Sequence, residues 1–301
     1  MDSGLAAALR TPSRLCRLGR LMRPISGKPE SGCRPGMTDA AEQMTTAREW
    51  AERLVADLTT SVVFCTRLPI AQRGPDAGAV ERASWAFPLA GALVGILGGL
   101  IYWIAHRLGV PPFPAAGIAL IATLVLTGAL HEDGLADTAD GFGGGDGHEA
   151  KLAIMRDSRI GTYGTCALVS SIVLRWSAVA TIARPHAVVL ALFCSHAAAR
   201  AILPAFMLLV PPARKDGLSF DAGRPAWESS AIAVLFGVVA LAIALGPAAA
   251  IAVLLLLAAG VGTAWLSMRQ IGGQTGDVLG ALEQVAECLI LLVAVAALRP
   301  Q

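Results

Sequence analysis

Apolar runs of about twenty residues recur seven times along this chain, which is the length a helix needs to cross a bilayer. They lie at roughly residues 85 to 105, 113 to 130, 163 to 183, 187 to 210, 229 to 246, 248 to 267 and 278 to 298. In lipid a backbone must satisfy its own hydrogen bonds, so repeated runs of this kind fold as packed helices. The expected fold is all-α: a polytopic integral membrane helical bundle of about seven transmembrane helices. An N-terminal interfacial helix is expected over residues 47 to 68 (AREWAERLVADLTTSVVFCTRL), where charge and apolar residues alternate until Pro69 ends the pattern.

Composition agrees with a lipid-facing chain. Of 301 residues 55% are hydrophobic and only 15% charged, against about a quarter charged in soluble domains. Ala, Leu, Val, Ile and Gly supply the apolar mass, which suits close helix contacts in a membrane. A net charge of +2 excludes a strongly basic nucleic-acid binder. The six cysteines, at 16, 33, 65, 166, 194 and 288, form no C-x-x-C pair and read as small core hydrophobes.

The charge is unevenly placed. Residues 1 to 36 carry a net of +5, leaving −3 for the rest of a chain whose total is +2. Residues 1–45 are therefore expected to be a basic, disordered extension, ahead of a translation start at Met37 or Met44. An organelle transit peptide is the alternative. Residues 46–301 are expected to form a single membrane-embedded catalytic domain.

With the N-terminal segment on the cytoplasmic side, the three loops 131–162, 211–228 and 268–277 share that side. They hold Lys151, Arg156, Arg159, Arg214, Lys215, Arg224 and Arg269, against Arg107, Arg184 and Arg299 opposite. That imbalance obeys the positive-inside rule. The expected location is the cell inner (plasma) membrane, multi-pass, with these loops cytoplasmic.

Those loops carry the chemistry. Seven of the chain's 22 acidic residues fall within residues 131 to 162. Asp133, Asp137 and Asp140 stand at i, i+4 and i+7, within an arc of about 60° on a helix that Gly141 and Gly143 to Gly145 would stop. Three carboxylates on one face repel and call for a cation; hard oxygen ligands suit Mg²⁺ or Mn²⁺. A solvated acidic loop is the plainer reading of the same residues. Zinc is disfavoured, since His131 and His148 lack thiolate partners at a recognised spacing. Beyond the acids, Lys151, Arg156, Ser158, Arg159 and Gly161 lead into the next apolar run. A Gly-containing turn opening a helix, with arginines beside it, is a natural seat for phosphate.

Arg175, His196 and Arg200 fall inside apolar runs. Such residues face a bundle interior or a cavity. His196 and Arg200 share a helical face, so they could meet an anionic substrate group or make a bond between spans. The last loop, GGQTGD, brings Gln274 and Asp277, with Glu283 and Glu287 one turn apart beyond it. Asp277 suits a helix cap. The two glutamates need a partner, which Arg175, Arg200 or a second metal would provide. Neither a P-loop nor a dinucleotide fingerprint occurs in the sequence.

The segment HEDGLADTADGFGGG, followed by IMRDSRIGTYG, closely resembles the signature of the cobalamin-5'-phosphate synthase family, the adenosylcobinamide-GDP ribazoletransferases. The likeness extends to FCTRLPI at 64 to 70, WAFPLAGALVGILGGLIYW at 85 to 103 and GGQTGDVLGALEQVAE at 272 to 287. It covers about residues 50 to 300; the Arg-rich start has no counterpart.

The resemblance implies an Mg²⁺-requiring membrane transferase that joins GDP-activated cobinamide to α-ribazole or its 5'-phosphate and releases GMP. It implies a metal held by Asp133, Asp137 and Asp140, with one of these or Asp157 taking the hydroxyl proton and Arg159 clamping phosphate. Ser158, Gly161, Arg156, Gln274, Asp277, Glu287, His196 and Arg200 are the further expected substrate contacts. The expected partners are these small molecules and the lipid bilayer, with no nucleic acid; an oligomer is compatible with every feature.

Two rival readings differ in sequence terms. A CDP-alcohol phosphotransferase would place an Arg where Asp137 stands in DGLAD. A secondary transporter would place its acids at the midplane of an inverted repeat, which the chain does not show.

Overall fold

A computed structural model describes residues 35–70 and 78–298, with side chains from residue 48 onward. The extension expected over residues 1–45 lies outside the described residues up to position 34; over 35–45 only a helical backbone is described. The described residues divide into two units, one up to residue 50 and one from residue 51 onward. The second holds the apolar helices and the polar loops between them.

Every regular element among the described residues is a helix. Helix α1 (Pro35–Cys65) ends four residues before Pro69 and is longer than the interfacial helix expected there. Its Leu54 and Val55 are exposed, as an interfacial helix requires. The short α2 (Ala79–Ala83) and a 3-10 turn lead into α3 (Phe87–Arg107). Then come α4 (Pro112–Thr127), α5 (Leu130–Gly144), α6 (His148–Ile154), α7 (Thr162–Ile182) and α8 (Pro185–Leu209). The short α9 (Leu218–Asp221) precedes α10 (Trp227–Leu245), α11 (Ala249–Ile271) and α12 (Gly276–Leu298). Each of the seven apolar runs is helical.

Among the described residues five stretches are long and apolar enough to cross a membrane, or six with the bent pair α4 and α5. One of the five, Trp227–Ile271, has 45 residues, about 68 Å of helix against a hydrocarbon core of about 30 Å. Gly246, with φ +55°, breaks it between α10 and α11, and residues of both helices line one apolar groove with α8. Large apolar side chains such as Ile121, Leu235, Ile243, Leu254 and Val261 cover the outside; in water they would form a large exposed patch, and in lipid they are at home.

The central element is α8, packed on α3, α10 and α12. Glycines of α3 make this possible. A Cβ at Gly91 or Gly95 would strike the carbonyl of His196 or Leu192, and one at Gly99 would lie 2.8 Å from the Val189 backbone. The two helices therefore touch backbone to backbone along a stripe of small residues.

Helix α5 turns 86° away from α4. Two consecutive left-handed residues make the turn, Gly128 (φ +65°) and Ala129 (φ +54°). The turn sends α5 across α12 and α7, which brings its acidic face to the end of the bundle where the polar loops meet.

Candidate active site

The three aspartates of α5 share a helical face, as their spacing predicts, but they do different work. Asp133 is exposed and Asp137 half-buried, whereas Asp140 is buried. The Asp140 carboxylate accepts backbone hydrogen bonds from Gly161 at 2.7 Å and Gly164 at 2.9 Å. It thus satisfies amides at the start of α7 that no helical carbonyl can reach. A Cβ at Gly161 or Gly164 would collide with that carboxylate. The turn expected to seat a phosphate through its amides gives two of them to Asp140 instead.

A fourth carboxylate joins from the other end of the sequence. Gly134, having no Cβ, lets the first turn of α12 approach so closely that a side chain there would lie 2.7 Å from the Asp277 carbonyl. The charges of Asp133, Asp277 and Asp140 all act on Asp137, opposed by Arg214. Asp277 also accepts a hydrogen bond from the Thr275 hydroxyl at 3.2 Å. The available donors at Asp133, Asp137 and Asp277 are all carboxylate oxygens, the set that suits a hard divalent ion. Mg²⁺ keeps several waters and takes one or two carboxylates plus substrate phosphates, so a closed cage of protein ligands is not needed. These aspartates form no such cage: the one trio of potential ligand atoms within 4.8 Å among the described residues is His196, Glu283 and Glu287.

That trio belongs to a buried ionic network that already contains its cations. Arg200 lies 2.6 Å from Glu283, and Arg175 lies 2.9 Å from Glu132 and 3.4 Å from Glu287. His196 stands 3.4 Å from Glu287, and Arg200 reaches His131 at 3.3 Å. Gln284 donates to Glu132 at 3.1 Å and Glu283 at 3.0 Å while accepting from Ser171 at 2.9 Å. His196, Arg200 and Glu287 are each 2% exposed or less, so they sit in the bundle interior and join α5, α7, α8 and α12. Of the partners open to Glu283 and Glu287, the structure takes both arginines. Sequence reasoning passed over Glu132 and Gln284 and weighed His131 only as a zinc ligand; the only signal was that His131 and Glu132 directly precede the acidic face.

Two cavities flank Asp133. The polar one, about 440 Å³, is lined by Glu132, Asp133, Asp137, Arg156, Asp157 and Ser158 among others. The apolar one, about 140 Å³, is lined by Phe64, Phe87, Leu203 and Met207 and edged by Asp133 and Asp277.

The basic residues of these loops are engaged by neighbouring groups. Arg159 has a side chain 87% exposed and folds back on Asp157, with contacts as short as 2.6 Å. Those hydrogen bonds hold the Asp157 carboxyl down to about 2 and the Arg159 guanidinium above its ordinary value. Arg156 makes a two-oxygen contact with Asp216 at 2.7 Å, tying the loop before α7 to the loop after α8. Lys151 donates to the Phe142 carbonyl near the end of α5 at 3.0 Å. Gln274 is buried and structural: it exchanges backbone hydrogen bonds with Pro211 and Ala213 at 2.8 Å, and its side chain accepts one from Ser219 at 2.5 Å. Three loops distant in sequence are thereby joined at one end of the bundle.

The chain is similar to known proteins over most of its length. The family model described as cobalamin-5-phosphate synthase matches residues 57–295. A protein of Bradyrhizobium diazoefficiens called adenosylcobinamide-GDP ribazoletransferase is 57% identical over 255 residues, covering 84% of this chain and 98% of its own. Proteins of the same name from Mesorhizobium japonicum and Ralstonia nicotianae are 46% and 42% identical, over 82% and 79% of this chain and 95% and 94% of theirs. No solved structure matches the chain.

Proposed function

This chain belongs to the cobalamin-5-phosphate synthase family, and from that membership we propose how its site performs the transfer. The chain is a multi-pass membrane transferase that couples adenosylcobinamide-GDP to ribazole in cobalamin synthesis. A ribose hydroxyl oxygen bonds to the cobinamide-linked phosphorus, the bond from that phosphorus to the bridging oxygen breaks, and GMP departs with that oxygen.

The polar cavity receives the diphosphate. The carboxylates of Asp133 and Asp137 stand on its wall, and Asp137 is the group placed to accept the hydroxyl proton. Asp157 is a poorer base, because Arg159 already engages both of its oxygens. The apolar cavity, opening on the same Asp133, offers the ribazole base a face of Phe64, Phe87 and Met207. Asp133, Asp137 and Asp277 would hold Mg²⁺, which when bound offsets charge on the diphosphate and the leaving group. Asp140 positions α5 against α7 and so sets where the other carboxylates point.

The observation that carries this reading is the meeting of α5 carboxylates with Asp277 of α12 between a polar and an apolar cavity. The substrate-facing loops lie on the cytoplasmic side of the inner membrane, as their excess of Lys and Arg supports. The test is GMP release by the purified full-length protein from GDP-cobinamide and α-ribazole, with and without Mg²⁺. Release that requires both substrates and the metal is the expected result. Turnover unaffected by metal removal would overturn the metal assignment, and solute movement without nucleotide chemistry would point to a transporter.

A further inference from the structure

Few polar side chains line the apolar cavity beside Asp133: His131, Asp133, Ser219 and Asp277. The two carboxylates, when ionised, only accept hydrogen bonds. Ser219 gives its hydroxyl hydrogen to the Gln274 side chain at 2.5 Å. The His131 ring is therefore the side-chain donor of this lining. Opposite polar groups of this kind stands an aromatic wall, Phe64 and Phe87, stacked at 5.3 Å and nearly parallel.

The buried ionic network sets the tautomer of that ring. Arg200 Nη2 lies 3.3 Å from His131 Nδ1. A guanidinium donates and never accepts, so Nδ1 is the acceptor and the ring hydrogen sits on Nε2. The two nitrogens of an imidazole point apart. With Nδ1 turned toward Arg200 and 3.9 Å from Glu283, the Nε2–H is turned away from the network, on a ring that forms part of the cavity wall. Packing holds it in place: His131 is 6% exposed, and a Cβ at Gly280 of α12 would lie 3.0 Å from its carbonyl.

A cavity of about 140 Å³ has the size that takes up an aromatic ring, so the base of a riboside enters and its ribose stays at the edge. That edge is Asp133, which borders the polar cavity as well. We propose that His131 recognises the base of ribazole, its Nε2–H donating to the ring nitrogen that is not bonded to ribose while the ring packs on Phe64 and Phe87. The proposal rests on the ribazoletransferase reading for the identity of the base. An apolar, aromatic-walled cavity with one side-chain donor suits that chemistry, and a donor left unpaired there makes the site reject an analogue without the acceptor.

The test pairs two substrates with the wild type and three variants, all as the full chain in lipid vesicles with saturating GDP-cobinamide. The substrates are α-ribazole and the α-riboside of dimethylindole, in which a C–H replaces the acceptor nitrogen at nearly the same shape. The wild type should show a KM about tenfold or more higher for the indole riboside. His131→Leu and His131→Asn lose the Nε2 donor, and the second keeps a short acceptor for Arg200 should the first fail to fold. Each should bring the two KM values within about twofold of one another. His131→Gln, with an amide N–H on a longer side chain, should restore part of the preference. Wild-type KM values within about twofold of each other would overturn the proposal. So would an equal loss for both ribosides in the variants, because that marks a residue that only supports Arg200. Should the wild type release no GMP, the ribazoletransferase reading fails by itself. Equilibrium dialysis with the two ribosides then decides His131 separately: preferential retention of α-ribazole by the wild type, lost in His131→Asn, supports the role, and equal or absent retention ends it.

Discussion

The carboxylate of Glu283 meets the guanidinium of Arg200 at 2.6 Å, with each side chain 1% exposed or less. The contact joins α12 to α8, and the same guanidinium lies 3.3 Å from His131 on α5. The acidic helix is therefore seated on an ion pair in the bundle interior, a few residues from Asp133 and Asp137.

Removing one member of that pair leaves the other charged and buried, which typically costs about 3–5 kcal/mol. Arg200→Met should lower the unfolding midpoint of the detergent-solubilised protein by a corresponding amount. Arg200→Met combined with Glu283→Leu should cost less than the sum of the two single changes. Additive losses in a double-mutant cycle would show that the pair is not coupled.

Asp137 and Asp140 should part company on substitution. Asp137→Asn removes a charge that contacts nothing structural, so it should cut Mg²⁺-dependent GMP release by about 100-fold or more with the thermal midpoint nearly unchanged. Asp140→Ala strands the Gly161 and Gly164 amides and should cost about 1–3 kcal/mol of stability as well as activity. Thermal unfolding and turnover measured on the same preparations would separate the two. Near-normal turnover in Asp137→Asn would sink its assignment as base and ligand.

The crossing of α5 and α12 depends on Gly134, where a Cβ would lie 3.2 Å from the Gly280 Cα. Gly134→Val should force the helices apart and cost about 1–3 kcal/mol by overpacking. Because Asp277 moves with α12, activity should fall further than stability alone predicts. A variant that keeps full turnover would show that the spacing of Asp277 from Asp137 is unimportant.

Asp157 should not appear in the pH dependence. Held down to about 2 by Arg159, it stays ionised above that value, and the stabilisation it draws from the pair is lost only as the pH falls through about 2. Through a working range of about pH 5 to 9 its charge is constant. The acid limb of the pH–rate profile should therefore keep its midpoint in Asp157→Asn. A displaced midpoint would return Asp157 to consideration as the base.

Local spacing carried much of the fold and part of the site. The seven apolar runs announce helices because a helix alone satisfies its backbone in lipid, and the i, i+4, i+7 placement of Asp133, Asp137 and Asp140 announces a shared face because 3.6 residues make a turn. The resemblance resting on HEDGLADTADGFGGG and GGQTGDVLGALEQVAE was legible for the same reason: both are contiguous segments.

Relations between segments far apart in the chain were not legible. No spacing rule connects Glu132 to Arg175, His131 to Arg200 or Arg214 to Asp277, and none assigns Asp140 to the amides of α7. The buried network was half visible, since Glu283 and Glu287 within an apolar run demanded a cation; which cation answered depended on how α7 and α8 packed. By itself the sequence determined that this is a helical membrane enzyme of a particular family with acids on one helical face. The tertiary structure alone decided that Asp140 accepts from the amides of α7 and that Asp277 lies beside the acidic face of α5, because the packing of glycine-lined helices brings those groups within reach.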